Sequence, residues 1–434
     1  NRGFAALITL FPEFYKANDP LQDDPNYSGL YYGGRGGWIP SLQRRVLYKA
    51  KEVSFPDGAG KEVSGGYNME AYANTVAVLQ FATEAEMPDI LPEEYYDMMA
   101  VAALYFMHGM SPGYRDWNVG NSYGYGSQFI NRPVIKQIID GLAMLLKAET
   151  DKTSEQYKKR KEQYDQLMYA YTDGNDGTMP EFESILYPMA RKVVMRDGWD
   201  KNAVGATMGI ANGGIHAHFD DLSIVIAAYG RYLLADPGKV DYVENEPYKC
   251  WLNSTRAHNT IEINDISQRS GFWSNWEVAK GPSGENLVFP FRNDHGLILA
   301  NNVSADAVQE PENAAYKAIL DEKNYTRDNL QKLYDFDDQL AVEANPSVKT
   351  RNFQGRFLES EMNQTFDYVK GETYNNIGVK YKDDGNVLGG GVKEYSAVDN
   401  AHNRSMLFIK SESVPSFYIV PDLSLIHISE PTRP

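Results

Sequence analysis

The stretch that decides the fold is NGGIHAHFDDLSIVIAAYG, residues 212–230. It places two histidines one residue apart, follows them with two aspartates and ends in an apolar run. Side chains alternate between the two faces of a strand, so residues two apart point to the same side. His216 and His218 would therefore reach one site. The stretch predicts a polar centre at the entrance to a core strand of a β-rich domain.

Two more residues downstream suit a metal ion. Asp236 follows the next strand in LLADPG, and His258 precedes a third strand in RAHNTIEI. Two histidines and one carboxylate are a common zinc set, with a fourth position left open. A hairpin that turns at residues 230–231 pairs Asp236 with Val225 and not with the histidines. A shared ion therefore requires residues 216–222 to fold back over the sheet. Spacing alone leaves open that these histidines only form surface hydrogen bonds.

The rest of the chain predicts a multidomain protein, helical first and β-rich second. Residues 93–110 and 131–150 carry apolar residues at helical spacing, and 153–172 opens with a cap signal. Later segments are short, rich in β-branched and aromatic residues, and show no long helical window. We expect an incomplete (α/α) toroid, truncated at its start, over residues 1–174, and an antiparallel β-sandwich over residues 175–422.

The two ends of the chain and its single cysteine set further expectations. The sequence opens without methionine, as a piece of a longer protein would. The ending SLIHISEPTRP resembles a translated sequencing adapter from a metagenomic gene fragment, so residues 423–434 are expected to be a non-native tail. Cys250 alone excludes an intrachain disulfide, which fits the cytoplasm and the bacterial periplasm equally.

Composition narrows the classes of partner. The 434 residues suit two domains, and the net charge of −17 comes without a basic stripe, so no nucleic-acid binding is expected. No apolar stretch is long enough for a membrane span. The 30 tyrosines suit sugar-binding clefts and half-wet cores equally well. The oligomeric state is not predicted.

Three motifs in fixed order resemble the heparinase II/III-like polysaccharide lyases. They are H-x-H-x-D-x-L-S at residues 216–223, D-P-G at 236–238 and A-H-N-T at 257–260, all within the sharply matching segment 189–262. The resemblance implies a helical toroid followed by an antiparallel β-sandwich, as the residue pattern also predicts. It further implies an acidic polysaccharide as the substrate.

The resemblance also implies roles for the cluster residues. His218, Asp236 and His258 would hold a zinc ion, and His216 would point into the cleft between the domains. Three ligands and an open position are typical of a catalytic metal. In this family, however, the zinc is regarded as structural. We follow the family here, and the conflict between the two interpretations stays open.

Lyases of this family cleave by β-elimination, which needs a donor that neutralises the uronate carboxylate, a base near C5 and an acid for the leaving oxygen. By resemblance to the family's loops, Asn68 would neutralise the carboxylate. Tyr123 would transfer protons with His216 as its partner base. Glu70 is an orienting candidate, and Tyr125 is the alternative to Tyr123.

A cleft for a polyanion also needs cations. Guanidinium groups bind carboxylate or sulfate at two points. The sequence therefore predicts a local positive patch in an acidic protein, formed by Arg115, Arg132, Arg191, Arg196 and Arg256.

The leading hypothesis is a periplasmic or secreted bacterial lyase acting on a uronate-containing glycan such as heparin, heparan sulfate or alginate. A second hypothesis is a glycoside hydrolase on an (α/α) toroid, with acids among Glu70, Asp116 and Asp221. A third is a non-catalytic glycan-binding protein that uses the same aromatic cleft.

Overall fold

The structure is a computed structural model. It describes residues 5–6, 9–10, 38–60, 65–112, 117, 132–180, 184–210, 218, 220–238, 251–252, 254–261, 268, 279–280, 286–287, 314–344, 355–374, 380–381, 395–396, 400–411 and 415–426.

Between residues 38 and 171, the described part of the chain is helical. The helices are α1 (Trp38–Val53), α2 (Gly65–Val76), α3 (Leu79–Glu84), α4 (Glu93–His108), α5 (Arg132–Ala148) and α6 (Glu155–Tyr171). Ser154 caps α6 by accepting a hydrogen bond from the backbone N–H of Tyr157, as its sequence signal predicts.

Buried tyrosines form part of the helical core. Tyr72 donates its hydroxyl to the carbonyl of Met99, and Tyr95 donates to that of Thr75. Burial raises the pKa of both phenols, so they stay neutral. These rings therefore follow the half-wet core interpretation of the tyrosine excess and do not line a sugar cleft.

The first antiparallel sheet, sheet I, has the strand order β1-β2-β3-β4-β5. Its strands are β1 (Ile185–Tyr187), β2 (Lys192–Arg196), β3 (Gly205–Gly209), β4 (Ser223–Ala228) and β5 (Arg231–Leu234).

Apolar side chains cover both faces of sheet I. Val194 and Val225 pack into the helical core, whereas Val193 and Ile224, one residue away in each strand, pack into a second core. Because neighbouring residues of a strand face opposite sides, each strand needs an unbroken apolar run to fill both cores. This explains why KVVM and SIVIAA lack the alternation of a half-exposed sheet.

The second sheet, sheet II, closes the far side of that second core. Its strands are β8 (Gly355–Met362), β9 (Phe366–Tyr374), β12 (Asn400–Ile409), β13 (Phe417–Ile419) and β14 (Asp422–Ile426).

In sheet II, β8, β9 and β12 pair in that order, and β13 and β14 share the outer edge of β12. Phe357, Val369, Met406 and Phe408 lie in one apolar cluster with the sheet I residues. Two short strand pairs, β6–β7 (Ala279–Lys280 with Asn286–Leu287) and β10–β11 (Lys380–Tyr381 with Tyr395–Ser396), are also described.

Two helices, α7 (Ala314–Glu322) and α8 (Arg327–Ala344), lie in the β half, which contradicts the expectation of strands alone from residue 175 onward. Leu330 and Tyr334 of α8 pack into the core between the sheets, while Leu333 packs into the helical core. Their helical spacing was visible in the sequence, together with the cap at Thr326.

The C-terminal strand reaches into the segment that is expected to be a non-native tail, and the origin of that segment stays a prediction. Strand β14 includes residues 423–426 of the expected tail and pairs with β12 from Asn400↔Ile426 to Arg404↔Asp422. Residues 427–434 lie outside the described residues. Helices give way to strands between Tyr171 and Ile185, and the domain limits remain predictions.

Within the described ranges, no helix combines the length and the apolar character that a membrane crossing requires.

Candidate metal centre

The structure brings His218, Asp236 and His258 together. One candidate ligand atom from each lies within 4.8 Å of the others, and all three side chains are buried. His218 precedes β4, Asp236 follows β5, and His258 follows a 3-10 turn at Thr255–Ala257. Sheet I thus presents two of the ligands at one end, and the later turn adds the third.

A tight turn at Asp220–Ser223 stands directly before β4. Leu222 has a left-handed φ of 58° and donates its N–H to the carbonyl of Gly209 at 2.8 Å. Ser223 N–H donates to the carbonyl of Asp220 at 2.9 Å, which closes the turn. This reversal allows His218 to approach residues that follow the next strand.

The β4–β5 hairpin turns at Tyr229 and Gly230, one residue earlier than the interpretation that paired Asp236 with Val225. The register also shifts next to Ile226, which pairs with Leu234. That pairing of Asp236 with Val225 was therefore wrong, because both the turn and the register shift change the alignment.

A short hydrogen bond joins two of the candidate ligands. His258 Nδ1 lies 2.7 Å from Asp236 Oδ2, and Asp236 Oδ1 accepts the N–H of Gly238 at 2.9 Å. Burial lowers the pKa of His258, but the bond and the charge of Asp236 outweigh burial and leave that pKa raised.

Burial controls the two neighbouring groups. It lowers the pKa of His218 to about 3, and the charge on His258 acts in the same direction. Asp220 is also buried, and desolvation raises the pKa of its carboxyl to about 6. His218 is therefore a neutral imidazole at pH 7, the form that binds metals.

These residues fit a zinc ion. Two imidazoles and one carboxylate are a usual zinc donor set. The buried Nε2 of His258 has no hydrogen-bond partner among the described residues, and such an orphaned donor atom is what a metal ligand leaves in the metal-free protein.

A frame of hydrogen bonds surrounds the three ligands. Asn259 donates its amide to the carbonyls of Ile224 and Ala235 at 2.9 and 2.8 Å. Arg404 of β12 donates to the carbonyls of Leu222 and Asn259, both at 2.6 Å.

Further contacts of the frame involve Asp221. Its carbonyl accepts the hydroxyl of Thr260 at 2.7 Å, and its carboxylate accepts that of Thr373 at 3.1 Å. Asn259 and Thr260 belong to the A-H-N-T motif, which could have indicated them. Arg404 carries no local signal.

Asn68 and Glu70 lie on helix α2 and not in a loop. Asn68 is 2% exposed, and its Nδ2 has no hydrogen-bond partner among the described residues. The amide packs directly over Gly60, where an added Cβ would overlap it. Glu70 stands two residues after Asn68, so the two side chains point about 200° apart around the helix axis. Glu70 is therefore exposed whereas Asn68 is buried. The helix does not bring Glu70 to the amide of Asn68.

The predicted arginine patch is not assembled by the described residues. Arg196 is 1% exposed and donates to the carbonyls of His108 and Met110, at 2.6 and 2.5 Å. Arg191 is equally buried and stacks over the ring of Tyr334. This guanidinium joins the end of α4 to β2, and the role of Arg196 in substrate binding stays a prediction.

The other predicted site residues are less fully described. Arg256 is exposed beside His258, and Arg132 begins helix α5. Asp221 is buried, which does not suit a hydrolase acid. Several residues lie outside the described part of the chain: Arg115, Asp116, Tyr123, Tyr125 and His216.

One family model matches the segment that contains the site. Residues 196–332 match the family model described as Heparinase II/III-like, C-terminal. All three candidate ligands fall in this segment. This match confirms the resemblance seen in the motifs.

Individual proteins are also similar to this chain. A heparin-sulfate lyase of Pedobacter heparinus is 30% identical over 103 residues, which are 23% of this chain and 16% of that protein. A mutant of the heparan sulfate lyase HepC from the same organism matches with a TM-score of 0.54 at 15% identity, over 90% of this chain and 42% of that chain.

Heparinase III matches with a TM-score of 0.52 at 14% identity, over 98% of this chain and 46% of that chain. The chain thus spans less than half the length of either solved structure. These likenesses show a shared fold.

Proposed function

We propose that this chain is part of a polysaccharide lyase that cleaves a uronate-containing glycan, heparan sulfate first among them, by β-elimination. The observation that carries the proposal is the convergence of His218, Asp236 and His258 inside the heparinase II/III-like segment. The names of the relatives support heparan sulfate as the first substrate to test.

The metal site has a structural part in this proposal. A zinc ion held by the three ligands would cross-link the segments before β4, after β5 and around residue 258. His216 stands two residues before the ligand His218. A fixed His218 therefore anchors the backbone that carries His216, and His216 itself keeps its nitrogens for proton transfer.

The proposed reaction uses the remaining residues as follows. The Asn68 amide donates to the substrate carboxylate, which makes the C5 proton more acidic. A base, His216 or Tyr123, removes that proton; the electron pair forms the C4–C5 double bond, and the C4–O4 bond breaks. The leaving O4 then takes a proton from a tyrosine, Tyr123 or its alternative Tyr125.

Asn68 is supported as the neutralising group by its amide, which lacks a hydrogen-bond partner among the described residues. A buried donor in this condition costs about 1–3 kcal/mol, and a bound carboxylate would recover that cost. The proposal requires the glycan to reach an amide that is 2% exposed.

Three finer statements belong to the same proposal. The helices form part of an (α/α) toroid, sheets I and II form the antiparallel sandwich, and the protein acts in the periplasm or outside the cell. The shared core between the two sheets supports the second statement. The heparinase-like fold supports the first.

The test is incubation of the full chain with heparan sulfate, hyaluronan and alginate, followed through the ultraviolet absorbance of the unsaturated uronate. We expect absorbance to rise with at least one glycan, and His216→Ala and Tyr123→Phe to abolish the rise. Tyr229→Phe, at the exposed hairpin turn, is the control and should leave the rate unchanged.

Two results would contradict the lyase. Flat traces on every acidic glycan, with new reducing ends on neutral ones, would indicate a hydrolase. Retention of glycan without any product, unaltered by His216→Ala, would indicate a binding protein.

A further inference from the structure

Arg404 lies far from the metal ligands in sequence but touches the segments that carry them. It belongs to β12 in sheet II and is 5% exposed. Its Nη1 donates to the carbonyls of Leu222 and Asn259, both at 2.6 Å. Asn259 directly follows the candidate ligand His258, and Leu222 lies in the turn Asp220–Ser223, four residues after His218.

A single guanidinium nitrogen therefore ties the two histidine-bearing segments to each other and to sheet II. The guanidinium is planar and holds its donors in fixed directions, so it sets the separation of the two carbonyls. A lysine ammonium is a compact charge on a flexible stem and cannot impose that separation.

The third ligand is connected through the same frame. Asn259 donates its side-chain amide to the carbonyl of Ala235, the residue before Asp236. Arg404 holds the backbone of Asn259, and Asn259 holds the backbone beside Asp236. All three ligand segments are thus joined by contacts between protein groups.

We infer that Arg404 is a positioning residue that holds the three ligand segments at metal-binding spacing before an ion binds. The inference rests on the metal site proposed above. A site that is already ordered loses less conformational entropy when it binds its ligand. Sheet II, which supplies no ligand, would then determine the metal affinity of sheet I.

The chain offers a matched control. Arg196 is also buried, at 1% exposed, and also donates to two backbone carbonyls, those of His108 and Met110. Neither carbonyl belongs to a ligand-bearing segment. Arg196→Lys should therefore disturb packing as Arg404→Lys does, without reaching the ligands.

The experiment compares Zn²⁺ affinity in the full chain, its Arg404→Lys variant and its Arg196→Lys variant, by competition with a chromophoric chelator. We expect Arg404→Lys to weaken Zn²⁺ binding by about 10–100-fold, the usual effect of losing a group that orients metal ligands. Arg196→Lys should stay near the wild-type affinity. Equal affinities in all three proteins, or no Zn²⁺ binding by the wild type, would overturn the inference.

A second measurement decides the matter if Arg404→Lys does not fold. Hydrogen exchange of the zinc-free wild-type chain reports whether the frame exists before the ion. The N–H groups of Leu222 and Asn259 both donate hydrogen bonds, to Gly209 and to Ser223, and should be protected without Zn²⁺. Protection that appears only after Zn²⁺ is added would refute the positioning role.

The glycan assay keeps this inference separate from the proposed function. A chain that shows the expected Zn²⁺ affinities but cleaves no acidic glycan would lose the lyase assignment and keep the role of Arg404. A chain that cleaves glycan while Arg404→Lys binds Zn²⁺ as tightly as the wild type would keep the lyase and lose that role.

Discussion

The junction between helix α4 and sheet I and the metal centre are built from the same parts. Each has a buried histidine and a buried arginine that donates to two backbone carbonyls. At the junction, the Nδ1 of His108 lies 3.2 Å from the hydroxyl of Tyr187. At the metal centre, the Nδ1 of His258 lies 2.7 Å from a carboxylate oxygen. Only the pairing of His258 with the carboxylate places a negative charge beside the ring, which suits a site that holds a cation.

The pKa values of the two histidines express this difference. Burial lowers the pKa of His108, the charges of Lys323 and Arg196 add to that effect, and a hydrogen bond with Gln166 opposes it. The pKa of His258 is raised despite burial, because Asp236 faces it. A buried histidine is thus a core residue or a ligand according to its neighbour, which explains why isolated histidines in a sequence are ambiguous.

The largest expected effect is the loss of the ion. Saturating Zn²⁺ at 1,000 times its dissociation constant would stabilise the fold by about 4 kcal/mol. A chelator should therefore lower the melting temperature of the zinc-loaded chain, measured by calorimetry. Asp236→Asn should remove this response, and Asp140→Asn, on the exposed side of α5, should retain it. A chelator without effect on the wild type would contradict the metal assignment.

Substitutions at two glycines test whether the junction and the candidate metal centre can be disturbed separately. An added Cβ at Gly371 would meet Leu222 Cδ2 at 2.5 Å, and one at Gly205 would meet Pro112 Cγ at 2.8 Å. Overpacking of this kind costs about 1–3 kcal/mol. Gly371→Ala and Gly205→Ala should both lower stability in urea, but only Gly371→Ala should also weaken Zn²⁺ binding. Parallel effects on Zn²⁺ would show that the regions are coupled.

The third prediction concerns His108, the histidine of the junction: its burial should make the stability of the protein fall as the pH is lowered. The unfolded chain protonates His108 at its ordinary pKa of 6.5, whereas the folded chain does so only at lower pH. The stability difference between the wild type and His108→Gln should therefore be constant above pH 6.5 and shift against the wild type as the pH falls below it. The slope is at most about 1.4 kcal/mol per pH unit.

Urea unfolding of zinc-free wild type and His108→Gln between pH 5 and 8 measures that difference. The ligand histidines are common to both proteins and cancel. Curves that stay parallel down to pH 5 would mean that folding does not suppress protonation of His108.

The smallest effect is expected at Arg256. This residue is exposed, so Arg256→Ala should change the free energy of unfolding by no more than about 0.5 kcal/mol. If the guanidinium binds substrate, the variant should elute from immobilised heparan sulfate at lower salt. Unchanged elution would remove Arg256 from the proposed substrate site.

Local sequence patterns were sufficient for the helix-then-strand order, and the family resemblance indicated the three candidate ligands that the structure brings together. Each ligand stands at the end of a strand or turn that its own neighbours specify. Arg404 could not be predicted in this way, since 145 residues separate it from Asn259 and only the packing of the two sheets brings them together. The surroundings of Arg196 could not be predicted for the same reason: proximity in sequence to the motif suggested a cleft, but the side chain is buried.

Asn68 shows a different limit of prediction from the sequence. Glycine-rich sequence around it indicated a loop, whereas the residues from Gly65 onward continue into helix α2. Helices α7 and α8 were missed although their spacing was visible, because the surrounding strand pattern dominated the interpretation.

Strands β1 to β4 of sheet I are buried between two apolar cores. Ile185, Tyr187 and Val194 lie in the core shared with the helices, and Val193 and Met195 lie in the core shared with sheet II. A β half produced without the helices would expose an apolar surface on which copies could aggregate. The helical half therefore covers apolar surface of the half that carries the candidate metal site, and a change in either half would require the other to be refitted.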